Sequence, residues 1–236
     1  MNRPITSIIF DLDNTLFNFS HHWDIAHRET FNRFKYDSLL NVDYSDFIKK
    51  YRYFDKLLWE ELLQKRVDLD ELRIKRLIYT LNHFGVEVER NHASDFFNTF
   101  FQILLSGIQP NLQLINRLKI LKKKYKICIL TNGKAVEQLE KIKRCKFYNL
   151  LPYYISEDIG FEKPEEQAFL FVLKEIGSSP SETLMVGDSI TNDIQPATKL
   201  GIQTCYIGRK LNNCADYAFN NIDEAIDAFI GKGILQ

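Results

Sequence analysis

The chain has 236 residues, of which 45% are hydrophobic, and its 31 basic and 31 acidic side chains balance to a formal charge of zero. A chain of this length buries roughly 70–75% of its unfolded surface on folding, enough for a sizeable core. Zero net charge gives no sequence-independent attraction to a nucleic acid polymer or an anionic membrane, so an anionic ligand must be captured locally.

The first element in chain order is the apolar run Ile8-Ile9-Phe10, which reads as a strand buried on both faces. It runs directly into "DLDNTLF", and side chains two apart in an extended segment point the same way. Asp11 and Asp13 therefore face one pocket while Leu12 packs. From residue 21 to about 107 no comparable strand signal occurs. Apolar positions such as Phe47, Tyr51, Phe54, Leu57 and Leu58 recur at helical spacing, which predicts a helical bundle. His21, His22 and His27 are expected on a solvated helix face, since no cysteine or helical histidine pair at metal-binding spacing accompanies them.

From Pro110 onward helix-like and strand-like segments alternate. "NLQLINRLKILKKKY" is followed by "KICIL", then "KAVEQLEKIKRC" by "YYIS", and "PEEQAFLFVLKEIG" by "TLMVG". The series closes with "DIQPATKLG", "TCYIG" and the helix-like "IDEAIDAFIG". This alternation predicts a parallel sheet with crossover helices, to which the first strand belongs in space. A helical insertion into such a sheet is expected to create a cleft between two lobes, with ligands bound beyond the carboxyl ends of the strands.

Of the cysteines, Cys128, Cys145, Cys205 and Cys214, no two are in CxxC spacing, and Cys128 and Cys205 sit in apolar stretches, which fits a reducing cytoplasm. No apolar segment approaches the ~20 residues that span a bilayer, and no long apolar region precedes Asp11, so secretion by a signal peptide is not expected either. Neither a repeat nor a low-complexity segment is evident. The run Lys122 to Lys124 is placed at the negative end of a helix.

Polar signals follow the strand-like runs. Thr131-Asn132-Gly133 follows the second, Lys163 the third, and Asp188 and Asp193 the fourth. With Asp11 and Asp13 they assemble the groups that phosphoryl transfer needs. Asp11 suits a nucleophile, since a carboxylate can hold phosphorus covalently and divide one hard displacement into two. Asp13 suits the acid that protonates a departing alcohol and later activates water. Such dense negative charge repels a phosphate dianion, so a hard cation with oxygen ligands is required. Magnesium, held by Asp11, Asp188 and a backbone carbonyl near Asp13, meets that need. Thr131 and the amides near Asn132 and Gly133 are placed to hold phosphate oxygens, and Lys163 offsets charge.

Each residue also has a plainer explanation. The two acids of the first turn could cap a helix, Thr131-Asn132-Gly133 could be a simple turn, and Lys163 could be a solvated residue before a proline. Asp193 either supports the metal or is an N-cap, with Pro196 three residues later. Their joint occurrence, in order, at successive strand ends favours the chemical reading.

In "DLDNTL", "LTNG", Lys163-Pro164 and "GDSITND" the chain resembles the haloacid dehalogenase superfamily of phosphatases over nearly its whole length. The resemblance implies an α/β fold, a Rossmann-like core formed by residues 1–16 and 108–236, and an inserted helical cap over residues 17–107. It implies an aspartyl-phosphate intermediate and magnesium dependence. Carried over by position, Asp11 matches the nucleophile, Asp13 the acid/base, Thr131 the phosphate-binding hydroxyl, Lys163 the lysine and Asp188 the metal carboxylate.

Within the family the cap is most similar to YjjG-type nucleoside 5′-monophosphatases, with N-acylneuraminate-9-phosphatase-like members close behind. The expected partner is a small phosphorylated metabolite, and monomer and homodimer both remain open. A 2-haloacid dehalogenase and a catalytically silent binder are the rival readings. Asp13 separates a phosphatase from the dehalogenase, because halide leaves without a proton.

Overall fold

The computed structural model describes residues 4–209 and 215–231; Cys214 lies outside the described residues. These divide into two compact units, one formed by residues 1–20 with 108–236 and the other by residues 21–107.

The first unit is built on one sheet. Its strands are β1 (Ser7–Phe10), β2 (Lys126–Thr131), β3 (Tyr153–Ile155), β4 (Thr183–Gly187), β5 (Gln203–Ile207) and β6 (Tyr217–Phe219). They lie in the order β3-β2-β1-β4-β5-β6, and every pairing is parallel. All four residues of β1 are buried, as a strand covered on both faces requires. On one face Ile9, Cys128, Leu130 and Met185 pack against Ala168, Phe169, Val172 and Leu173 of a helix spanning Glu166–Ile176. Each fully buried large side chain of this kind contributes roughly 1.5–3 kcal/mol. β6 escapes the sequence reading because it is a three-residue edge strand whose side chains are only half-buried, too short for a periodic signal.

The second unit contains the helices α1 (Phe19–Arg33), α2 (Tyr36–Leu40), α3 (Tyr44–Leu63), α4 (Leu69–His83) and α5 (Arg90–Gly107), the first two residues of α1 belonging to the other unit. Asp43 and Asp68 cap α3 and α4 by accepting from the N–H groups of Asp46 and Glu71. The core gathers Phe31, Tyr36, Phe47, Tyr51, Leu77 and Phe96.

His27 corrects an expectation, because it is 1% exposed rather than solvated. Its ring stacks on Trp23 at 4.5 Å and Nδ1 meets the Tyr44 hydroxyl at 3.2 Å, whereas Nε2 has no partner among the described residues. His27 is helical and falls on the face of Phe31, which periodicity alone could have assigned to the core. Burial, reinforced by Arg76 and Arg52, holds its pKa well below the ordinary histidine value. The unfolded chain therefore takes up a proton on His27 below about pH 6.5 where the folded chain does not, and stability falls as pH drops through that range. We expect an added slope approaching ~1.4 kcal/mol per pH unit. Denaturant midpoints at pH 7 and pH 5 should show it for the natural chain and lose it in His27→Phe; equal pH sensitivity of the two would refute the assignment.

Candidate active site

Register brings the polar signals together. Phe10 of β1 pairs with Ile129 of β2 and with Val186 of β4, so Asp11, Thr131 and Asp188 all emerge at the carboxyl ends of three adjacent strands. Asp11 remains in the ladder, its N–H donating to the Val186 carbonyl at 2.9 Å. The chain then wraps tightly around Leu12, whose carbonyl accepts from the N–H groups of Leu16 and Phe17. Helix capping does not account for the two acids, since the Asn14 side chain is the one that accepts from Ser20 N–H at the start of α1.

Lys163 is 4% exposed, not a solvated residue before a proline. Its ammonium donates to Asp11 Oδ1 at 2.7 Å and to Asp193 Oδ1 at 2.6 Å. Removing the lysine from a buried set like this typically costs about 3–5 kcal/mol, because both carboxylates then lose their compensation. Burial works to lower the Lys163 pKa, but the two carboxylates outweigh it and raise it.

Asp193 is not the cap of the following helix, Gln195–Lys199; Ile194 occupies that position. Ser189 caps the preceding turn, and Asp193 Oδ2 accepts from Ser189 N–H at 3.0 Å. Gly187 permits this approach, because a Cβ there would lie 2.3 Å from Asp193 Oδ2.

Asp11, Asp188 and Asp193 each present an oxygen within 4.8 Å of the others. Burial raises the Asp11 pKa to about 7, with Lys163 opposing and Asp193 adding to the rise. Burial also raises Asp188 to about 6, again with Asp193 contributing. Three carboxylates face one ammonium, an excess of negative charge of the kind a divalent cation with oxygen ligands relieves.

The Asn132 side chain is engaged by the backbone of Lys163. Its Nδ2 donates to the Lys163 carbonyl at 2.6 Å and its Oδ1 accepts from Lys163 N–H at 2.9 Å, so the amide clamps the lysine's backbone. The Gly133 N–H, expected to cradle phosphate, donates to Ser156 Oγ at 3.0 Å. Thr131 is buried at the end of β2.

Three side chains near these groups went unread in the sequence. Ser156 is one; Gln138 and Lys141 of the helix Ala135–Arg144 are the others, and both are buried. Lys141 Nζ lies 2.6 Å from Asp13 Oδ2, and Gln138 Nε2 donates to the same oxygen at 3.1 Å. They resemble ordinary solvated helix residues until their i, i+3 spacing is set on the face of Ile142 and Cys145.

The cysteines among the described residues of this unit are all buried. Burial pushes the Cys145 thiol up to about 12 and raises Cys128 and Cys205 as well, which removes their reactivity at neutral pH. Among the described residues, no helix is long and apolar enough to cross a membrane.

Clustered carboxylates and a buried lysine thus lie beyond the carboxyl ends of a parallel sheet's strands, the place where sheets of this class bind ligands. A model of the haloacid dehalogenase-like hydrolases matches residues 5–201, and the chain belongs to that family.

Glyceraldehyde 3-phosphate phosphatase of Methanocaldococcus jannaschii is 28% identical over 94% of this chain and 96% of its own length. Pyrimidine 5′-nucleotidase PynA of Streptococcus pneumoniae is 28% identical over 84% and 82% respectively, and YjjG of Escherichia coli, also a pyrimidine 5′-nucleotidase, is 28% identical over 85% and 84%. Among solved structures, the HAD-hydrolase YfnB of Bacillus subtilis, in a magnesium-bound form, superposes with a TM-score of 0.79. It shares 22% identity and covers 97% of this chain and 99% of its own. The chain is an enzyme of this hydrolase family, and assignment as a phosphoric monoester hydrolase agrees with the activities its relatives are named for.

Proposed function

We propose that the chain is a magnesium-dependent phosphatase that hydrolyses a small phosphomonoester, a nucleoside 5′-monophosphate in particular, through an aspartyl-phosphate on Asp11. The observation that carries this reading is the Asp11–Lys163–Asp193 network with Asp188 beside it and Asp13 two residues from Asp11. Asp11 attacks phosphorus, forming the acyl-phosphate bond as the bond to the leaving oxygen breaks, and Asp13 gives that oxygen its proton. Water then attacks the phosphorus, Asp13 takes its proton, and inorganic phosphate and free Asp11 result.

Lys163 balances the charge of Asp11 and of the arriving phosphate, and Thr131 holds a phosphate oxygen. Asp11, Asp188 and the Asp13 carbonyl would hold magnesium, with Asp193 steadying the site through Lys163 and Ser189. Magnesium there supplies positive charge that offsets repulsion between carboxylates and phosphate. A cytoplasmic location goes with such a substrate.

The nucleotide preference draws on the two relatives named as pyrimidine 5′-nucleotidases. The aromatic side chains lend it little support: Phe17, Tyr51 and Phe96 are buried, and Trp59 is 45% exposed. Glyceraldehyde 3-phosphate is the second reading, favoured by the archaeal relative that spans 94% of the chain.

Catalytic efficiency measured with magnesium decides between them. Nucleoside 5′-monophosphates should exceed glyceraldehyde 3-phosphate, hexose phosphates and acylneuraminate 9-phosphate by at least about fivefold, the lower end of what stacking a base provides. A clear preference for any of the latter would replace the substrate and leave the chemistry of Asp11 intact.

A further inference from the structure

We propose that Lys141 and Gln138 are positioning residues for Asp13, an inference that rests on the phosphatase reading above. The two oxygens of Asp13 are treated differently. Oδ2 accepts from Lys141 Nζ at 2.6 Å and from Gln138 Nε2 at 3.1 Å, whereas Oδ1 is buried and has no partner among the described residues. A carboxylate pinned through one oxygen presents the other in a fixed direction, the requirement for exchanging a proton with a leaving oxygen and then with water.

The arrangement is also built at a cost. The Lys141 side chain is 4% exposed on a helix face shared with Ile142, where an apolar residue of similar volume would avoid desolvating a charge. Its ammonium is held a second time, 4.6 Å above the ring of Phe19. Gln138 extends the support, since its Nε2 also donates to the Asn132 carbonyl at 2.7 Å, and the Asn132 amide clamps the Lys163 backbone. Gly133 admits this contact, because a Cβ there would come within 2.8 Å of Gln138 Nε2. One glutamine thus joins the loop carrying Asp13 to the loop that sets Lys163.

The test exploits the need for a proton. An alkyl alcohol must be protonated as it leaves, whereas p-nitrophenolate leaves without one. In single turnovers with magnesium, Lys141→Met should slow release of alcohol from a nucleoside 5′-monophosphate by about 10- to 100-fold. Nitrophenolate release from p-nitrophenyl phosphate, and the concentration of each substrate that half-saturates the single-turnover rate, should stay near the natural values. Added to Asp13→Ala, Lys141→Met should cause no further loss.

Equal loss on both substrates, loss that persists beside Asp13→Ala, or full activity on the alkyl ester would each overturn the proposal. Gln138→Met should give the same pattern in smaller measure and carries the test if Lys141→Met does not fold. Asp11→Asn in the same assay keeps the two levels apart: turnover in that variant rejects the phosphatase reading itself. A dead Asp11→Asn beside a fully active Lys141→Met rejects only the positioning role.

Discussion

Asp11→Asn is expected to lower turnover by at least about 10⁴-fold while leaving the fold intact. An amide is nearly isosteric with the carboxylate but cannot attack phosphorus, so the covalent path closes and only binding and charge stabilisation remain. The same substitution should not weaken the protein. Asp11 is 7% exposed and shares one lysine with Asp193, and its raised pKa records how poorly the site tolerates another charge. Removing that charge leaves Lys163 paired with Asp193, so the melting temperature should match or exceed that of the natural chain. Steady-state phosphatase assays beside a thermal melt make the measurement. Substantial activity in a folded Asp11→Asn preparation would remove the nucleophile from the proposal.

Chelation should abolish activity reversibly, and the cation should be visible without any turnover. Asp11, Asp188 and Asp193 converge within 4.8 Å around a single ammonium, so a divalent ion that binds the folded chain alone stabilises it by mass action. At a hundred times its dissociation constant, magnesium should add about 2.7 kcal/mol. Asp188→Asn should weaken the ion's affinity at least about tenfold, moving the magnesium-dependent rise in melting temperature to higher concentration. Asp188 is the informative position because neither Lys163 nor the nucleophilic role depends on it. Full activity in metal-free protein would exclude the mechanism and restore the dehalogenase reading, which needs no cation.

The parallel sheet and its strand ends were legible in the chain because both rest on local pattern. Continuous apolar runs such as Ile8-Ile9-Phe10 and Leu184-Met185-Val186 have few alternatives to buried strands, and the polar residue that follows each run must surface at the sheet edge. The order of Asp11, Thr131, Lys163 and Asp188 along the chain therefore already placed them on one side of one sheet. Asp193 was less legible. Whether an acid near a proline caps a helix or answers a buried lysine depends on a residue thirty positions away.

What tertiary structure alone decided is which side chains answer which. Gln138 and Lys141 carried no signal, because a helix of alternating charge and apolar residues normally turns its charges to water. Packing reversed that, exposing Val136 at 74% and burying Lys141 at 3%. For His27 periodicity offered the burial, but only the packed helices supplied its ring neighbours Trp23, Tyr51 and Phe100. Hydrophobic periodicity specifies which elements form and which face is apolar. It carries no record of a partner 128 residues distant, as Asp13 is from Lys141. A buried charge is tolerated only when the fold delivers its counter-charge, and that delivery is a property of the assembled sheet and helices rather than of any stretch of sequence.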